Sequence, residues 1–111
     1  METTRQNKIA RLLQKELSEV FLAETRKMPG MMVSVSVVRV SPDLSTARVY
    51  LSIFPTEKAE ETLDSIRRSA QTIRYEMAGR VRFQLRKMPE LSFFIDDSLD
   101  YAKKIDSLLG I

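Results

Sequence analysis

The side chains best suited to chemistry in this sequence are basic ones, and they are concentrated between residues 67 and 88. That segment holds seven Arg and Lys residues and one Glu, a net charge of +6, whereas the whole chain of 111 residues carries +3. A guanidinium group binds a phosphate through two parallel hydrogen bonds. The segment therefore has the chemistry of a surface that binds a polyanion such as nucleic acid.

Apolar periodicity predicts that this segment is helical, and the helix sorts the basic residues by direction. At about 100° per residue, the apolar side chains from Ala59 to Leu85 form one band and the remaining surface faces outward. The predicted RNA-binding residues are Arg68, Tyr75, Arg82 and Arg86 on the outward side, Arg67 and Arg74 at one border of the band, and Arg80 and Lys87 at the other. An aromatic ring such as that of Tyr75 can stack on an unpaired base, which contributes on the order of 1–3 kcal/mol. An ordinary solvated helix surface is the alternative.

A second, weaker group of candidates lies near the N-terminus, on the first predicted helix. Its members are Arg5, Lys8, Arg11 and Lys15. Acidic residues between positions 16 and 24 dilute their charge, and a solvated face is the preferred interpretation there. For the main group, we expect simultaneous charge reversal of Arg74, Arg80 and Arg82 to abolish RNA binding and to leave the fold intact.

Catalytic chemistry finds little support in this composition. The chain has no His and no Cys, so the usual general bases and thiol nucleophiles are absent. Asp96, Asp97 and Asp100 could together hold Mg²⁺, but capping of a helix is the preferred interpretation. Three Gly residues in the whole chain are too few for a glycine-rich phosphate loop. We predict no catalytic residues, no metal site and no cofactor.

Composition also limits the cellular location. The absence of Cys excludes disulfides and fits a reducing cytosol. The N-terminal stretch METTRQNK contains no apolar signal region, and no run reaches the length of a membrane span. We expect a cytoplasmic protein without a membrane partner.

Hydrophobic patterns predict a single α+β domain of residues 1–111 with the order α-β-β-α(kinked)-β-α, in which helices cover one face of a three-stranded sheet. The first predicted helix begins with a Thr3/Gln6 capping box and stops at Met28-Pro29-Gly30, and it is followed by strands at 32–40 and 46–54 that are joined by a turn at Ser41–Ser45. A long helix is predicted from a Thr56 cap to Pro89. A strand at 91–95 and a last helix capped by Asp97 or Ser98 complete the predicted order. The phase of the first strand changes near Val38, which indicates a β-bulge. A kink in the long helix is expected between Ser69 and Gly79.

Several ordered motifs resemble one protein family. They are Val40-Ser41-Pro42-Asp43-Leu44-Ser45, Ala47-Arg48-Val49-Tyr50, Arg80-Val81-Arg82, Pro89-Glu90-Leu91-Ser92-Phe93 and Asp96-Asp97-Ser98-Leu99. At these spacings the set resembles the bacterial ribosome-binding factor A family, and the resemblance extends from Arg5 to Leu109.

The resemblance implies a type II KH-like fold in a non-catalytic cytoplasmic factor. Members of the family associate with free 30S subunits, contact 16S rRNA, and assist its late processing and the maturation of the subunit, notably in the cold. In place of the GxxG loop of KH domains, the family has a kink between two helices at an alanine-x-glycine step. The corresponding step here is Ser69-Ala70-Gln71, with Gln in place of Gly.

Two other classes of function compete with RNA binding. A protein-interaction module or homodimer could use the sheet edge or the outward side chains of Tyr50 and Phe54. A small metal-dependent enzyme built on Asp96 or Asp97 ranks last. The preferred interpretation is an rRNA-binding assembly factor that is monomeric away from the ribosome.

Overall fold

The computed structural model describes residues 3–27 and 29–96. Within these residues the chain forms three α-helices, a short 3₁₀ helix and a three-stranded sheet. The elements are α1 (Thr4–Thr25), β1 (Met32–Val40), β2 (Thr46–Phe54), the 3₁₀ helix (Thr56–Lys58), α2 (Ala59–Arg68), α3 (Ala70–Val81) and β3 (Glu90–Ile95). The predicted last helix lies outside the described residues, together with Asp97, Ser98 and Asp100.

Helix α1 begins at the predicted capping box. The Thr3 hydroxyl accepts a hydrogen bond from the Gln6 amide at 3.1 Å, and the Gln6 side-chain oxygen accepts one from the Thr3 amide at 2.8 Å. The Gln6 side chain is buried, and its Nε2 donates to the Val40 carbonyl at 2.8 Å. This bond ties the start of α1 to the end of β1, so the capping box also fixes the position of α1 on the sheet.

The sheet has the order β1-β2-β3, with β1 antiparallel to β2 and β3 parallel to β2. Val35 pairs with Leu51 and Val37 pairs with Tyr50, so Ser36 is an extra residue in β1. The predicted β-bulge and hairpin are both confirmed. The bulge explains the change of phase, because one inserted residue moves the following side chains to the opposite face.

The turn between β1 and β2 is organised by Asp43. Its Oδ1 accepts hydrogen bonds from the Ser41 hydroxyl at 2.7 Å, the Ser45 hydroxyl at 2.8 Å and the Ser45 amide at 3.1 Å. These donors, the Ser41 hydroxyl foremost, lower the pKa of Asp43 to about 2. The next residue, Leu44, has a φ of 63°, in the left-handed region. Local side-chain bonds thus hold an otherwise unfavourable backbone.

The three α-helices cover one face of the sheet and enclose the core. Leu13 and Leu17 of α1, Val49 and Leu51 of β2 and Met77 of α3 are completely buried there. Each such Leu or Met stabilises the fold by about 1.5–3 kcal/mol relative to an exposed side chain. No described helix covers the other face of the sheet, which we call the open face, and its large apolar residues Met32 and Phe54 are exposed. The architecture is therefore α+β and KH-like, as predicted.

The long predicted helix is broken at Ser69, within the expected interval. Ser69 has φ −95° and ψ 9°, and its amide donates to the carbonyls of Ile66 at 3.0 Å and Ser65 at 3.1 Å. The break separates α2 from α3. It turns the second helix toward α1, which α3 contacts.

Two boundaries of that helix were predicted wrongly. Thr56 is not a cap: Pro55 precedes a 3₁₀ turn there, and the turn has no side-chain capping bond. The helix also ends at Val81 instead of Pro89, because the Val81 carbonyl accepts hydrogen bonds from the amides of Gln84 and Leu85 and closes a turn. The chain must reverse there to place β3 beside β2, and apolar periodicity alone does not contain that requirement.

Candidate nucleic-acid interface

Three separate parts of the chain meet at a cleft of about 490 Å³. They are the first turns of α1, the turn between β1 and β2, and the connection from α3 to β3. The lining residues are Arg5, Lys8, Ile9, Asp43, Leu44, Ser45, Gln84, Leu85, Arg86, Lys87 and Pro89. We call this site the basic cleft, after its four cationic residues Arg5, Lys8, Arg86 and Lys87. It unites residues of both predicted groups, which are about eighty positions apart in the sequence.

The packing of neighbouring residues explains why the cleft forms. The connection from α3 to β3 is anchored by Val81, Met88 and Pro89, which are all buried. At its end the Glu90 amide donates to the Ser45 carbonyl at 2.9 Å, which places the connection beside the hairpin turn. The bond between Gln6 and Val40 brings the start of α1 to the same end of the sheet.

The charge of the cleft is strongly positive. Asp43 is the one carboxylate among the described lining residues, so four cations and one anion give the cleft a net charge of +3. None of the four cations forms a salt bridge with another described residue. Four exposed cations without a salt bridge to the described residues have the chemistry that phosphate groups require. RNA binding by these residues stays a prediction.

Arg82 and Phe83 stand directly before the residues of the cleft. Phe83 is 88% exposed, and the guanidinium carbon of Arg82 lies 4.9 Å from the centre of its ring. Tyr75 was the aromatic residue predicted from the sequence to bind RNA, and Phe83 was not among the predicted residues. An aromatic residue next to Arg82 inside the most basic segment was an available signal.

The remaining outward candidates lie elsewhere on the surface. Tyr75 points into solvent as predicted and is 84% exposed. Arg68 is exposed on α2 beside Asp64, and Arg11 and Lys15 are exposed on α1. None of these four candidates lines the basic cleft.

Two predicted cations at one border of the apolar band contact other elements of the fold. Arg67 donates through Nε at 3.1 Å and Nη2 at 2.8 Å to the Phe93 carbonyl, and its guanidinium lies 5.8 Å from the centre of the Phe94 ring. Arg74 donates through Nη2 to the Met88 carbonyl at 2.9 Å and through Nε to the Pro89 carbonyl at 3.4 Å. A residue at the border of the apolar band lies beside β3 or the connection that precedes it. Its long side chain can therefore reach a backbone carbonyl of that neighbouring segment.

Arg80 is held by carboxylates. Its guanidinium forms salt bridges with Glu16 at 3.2 Å, Glu19 at 3.1 Å and Glu76 at 3.8 Å, and the first two join α3 to α1. Charge reversal at Arg74 and Arg80 would therefore also remove contacts of the fold. The predicted triple variant with Arg82 does not separate RNA binding from folding, because two of its three positions have structural partners.

Across residues 3–27 and 29–96, no three acidic side chains are grouped as metal ligands. Of the helices that the structure describes, none is both long and apolar enough to span a bilayer.

Comparison with known proteins identifies the family. Residues 5–109 match the sequence profile described as ribosome-binding factor A. The chain belongs to the ribosome-binding factor A family. It is 52% identical over 112 residues to ribosome-binding factor A of Flavobacterium johnsoniae, and the alignment covers 99% of this chain and 86% of that protein. The resemblance inferred from the sequence motifs is confirmed.

Solved structures of the family have the same fold. The crystal structure of ribosome-binding factor A from Thermus thermophilus is similar with a TM-score of 0.65 and 26% identity, over 81% of this chain and 94% of that chain. A homology model of the Thermus thermophilus ribosome-binding factor A, fitted into the cryo-EM map of its complex with the 30S subunit, is similar with a TM-score of 0.55. It is 30% identical over 78% of this chain and 93% of that chain.

Proposed function

We propose that this chain is a non-catalytic, cytoplasmic assembly factor of the small ribosomal subunit. It binds the free 30S subunit and its 16S rRNA, and it assists late 16S rRNA processing and maturation of the subunit, notably in the cold. The chain acts as one KH-like RNA-binding domain of residues 1–111 and is a monomer away from the ribosome. Membership of the ribosome-binding factor A family supports this proposal.

The observation that carries the proposal is the basic cleft. Arg5, Lys8, Arg86 and Lys87 converge from two distant segments and have no carboxylate partner among the described residues. Such an arrangement creates a local positive potential that attracts a polyanion. Each phosphate contact releases condensed counterions, so the affinity for rRNA should fall steeply as salt is raised.

The proposed action is binding without covalent chemistry. The factor prefers one arrangement of the immature rRNA and shifts the equilibrium toward it by its differential affinity for the two arrangements. A tenfold preference provides about 1.4 kcal/mol, so several phosphate and base contacts provide enough energy to select among rRNA conformers separated by a few kcal/mol. Release then requires a competing contact or a completed rRNA structure that no longer fits the cleft.

A protein-interaction or homodimeric role is the alternative, and the open sheet face is the feature that favours it. Met32 and Phe54 pair across β1 and β2 and are 60% and 64% exposed. Four residues before Phe54 on the same strand, Tyr50 stacks on Phe94 with ring centres 5.6 Å apart. Exposed apolar residues of this kind can bind a second copy or another protein. Sedimentation equilibrium that gives a stable dimer with no affinity for RNA would favour this role.

Gradient fractionation of a cell extract that contains the tagged protein tests the proposal. We expect the factor to migrate with free small subunits, to be absent from translating ribosomes, and to leave the subunit as salt is raised. Migration at the size of the free protein at every salt concentration would contradict the proposed function.

A further inference from the structure

We propose that Phe83, together with Arg82, is a stacking site for an unpaired nucleobase at the edge of the basic cleft. The inference rests on the proposed function and specifies the RNA: the ligand is a single-stranded, looped or bulged segment, since a base inside a duplex has no free face. It assigns a role to an aromatic residue that neither the sequence motifs nor the fold requires.

The exposure of Phe83 is the first observation. At 88% exposure, Phe83 is the most exposed of the large apolar residues described in this protein. The backbone beneath it is well fixed, because Val81 and Met88 on either side are buried and the Val81 carbonyl accepts hydrogen bonds from Gln84 at 2.9 Å and Leu85 at 3.0 Å. The ring is therefore presented to solvent by an anchored turn.

The position of Arg82 is the second observation. Its guanidinium carbon lies 4.9 Å from the centre of the Phe83 ring, a cation–π contact that restrains the ring and covers one of its faces. A base can stack on the opposite face. The positive charge of Arg82 stands beside the site and can meet the phosphate of the stacked nucleotide.

The neighbouring charges decide between RNA and an apolar protein partner. Phe83 is followed by Gln84, Leu85, Arg86 and Lys87, all of which line the basic cleft. Arg86 is three residues from Phe83, at most about 11 Å along the chain, so one short segment supplies both an aromatic platform and phosphate ligands. A hydrophobic groove on a protein partner would not need these cations, whereas a single strand of RNA uses both features.

The test compares Phe83→Leu with a matched control, Phe54→Leu. Both substitutions remove an exposed aromatic ring and keep an apolar side chain, but Phe54 lies on the open face of the sheet. The probes are a twelve-nucleotide single-stranded RNA and the same oligonucleotide with abasic sites. We expect Phe83→Leu to bind the intact RNA about 5- to 150-fold more weakly than the wild type. Its affinity for the abasic strand should be unchanged, and Phe54→Leu should bind both probes as the wild type does.

A spectroscopic readout uses Phe83→Trp, because the chain contains no Trp. Stacking on a base should quench the fluorescence of the new indole when the single-stranded RNA is added. The abasic strand and a fully paired RNA duplex of equal charge should cause little quenching.

The possible failures are distinguishable. Equal affinity of the wild-type protein for the intact and abasic strands, including no binding of either, overturns the stacking site. So does wild-type affinity of Phe83→Leu for the intact strand. If Phe83→Leu loses small subunits but keeps the affinity for naked RNA, the ring contacts a ribosomal protein and the inference is wrong. In each of these cases, association of the wild-type protein with free small subunits would leave the proposed function standing.

Discussion

Arginine side chains perform two different tasks in this protein, and their contacts distinguish the two. Arg67 and Arg74 donate to backbone carbonyls, and Arg80 joins α3 to α1 through Glu16 and Glu19. The guanidinium fork suits a carbonyl or carboxylate as well as it suits a phosphate. The surroundings therefore decide the role of each arginine, and the sequence does not reveal which of them have internal partners.

The carbonyl contact of Arg67 leads to a prediction on stability. Arg67→Lys keeps the charge but cannot reproduce the two hydrogen bonds to the Phe93 carbonyl or the planar contact with Phe94. We expect the free energy of unfolding to fall by about 1 kcal/mol, because the site is partly exposed to water. Urea denaturation measures the change.

Arg68→Lys is the matched control, because Arg68 is the exposed neighbour of Arg67 and makes no hydrogen bond within the described residues. Its free energy of unfolding should stay within about 0.5 kcal/mol of the wild-type value. Equal losses in the two variants would show that the bonds of Arg67 contribute nothing specific.

At the scale of single elements, most of the fold could be predicted because its signals are local. The Thr3/Gln6 capping box, the bulge in β1 and the hairpin all depend on residues close in sequence. The end of α3 could not be predicted in this way. Apolar residues continue at helical spacing to Leu85, but the chain must turn at Val81 so that Glu90 can pair beside Ser45, which is a tertiary requirement.

The two described glycines should respond in opposite ways to replacement by Ala. Gly79 lies inside α3, and a Cβ added there would meet no heavy atom within 4 Å. Gly79→Ala should therefore raise the free energy of unfolding by about 0.5–1 kcal/mol, because Ala restricts the unfolded chain and favours the helix. Gly30, which follows α1, has a φ of +82°, a conformation that Ala adopts only with strain. Gly30→Ala should therefore lower the free energy of unfolding by about 1 kcal/mol. Thermal unfolding of both variants checks the signs, and a stabilised Gly30→Ala or a destabilised Gly79→Ala would contradict the description of these positions.

The turn between β1 and β2 should depend on pH through Asp43. Hydrogen bonds from Ser41 and Ser45 lower its pKa from 3.8 to about 2, so they favour the carboxylate form in the folded state. The contribution of these hydrogen bonds to the free energy of unfolding is fully present above pH 4 and is lost as the pH falls through about 2. We expect the stability of the wild type relative to Asp43→Asn to decline over this interval, and NMR titration of the Asp43 carboxyl should give the low pKa. A midpoint near 4 would contradict the hydrogen-bonded turn.

At the scale of the whole molecule, the candidate site could be predicted only in part. Charge and periodicity identified Arg86 and Lys87 and, as a weaker group, Arg5 and Lys8. They could not show that the two pairs line one cleft, because that depends on where α1 and the connection after α3 dock on the sheet. Phe83 was not predicted as a site residue, because the segment between Val81 and Glu90 was predicted to continue the helix.

The geometry of the molecule also supplies an internal control for charge. Helix α1 has Arg5 and Lys8 near its start and Arg26 just after its end, about 30 Å away along the helix axis. Lys27 and Lys58 line a separate groove between α1 and α2. Neutralising Arg26, Lys27 and Lys58 therefore changes the net charge as much as neutralising three cations at the cleft, but at a different place.

The most direct test is the affinity for isolated small subunits of a triple variant of cleft residues, Lys8→Gln, Arg86→Gln and Lys87→Gln, measured by co-sedimentation at several salt concentrations. We expect affinity to fall on the order of 100-fold and the slope of log K against log salt to decrease by about 2 to 3, because three phosphate contacts are lost. The triple variant Arg26→Gln, Lys27→Gln and Lys58→Gln should bind almost as the wild type does, and both variants should unfold at wild-type temperatures. Equal affinities in the two triple variants would contradict the claim that rRNA binds at the basic cleft.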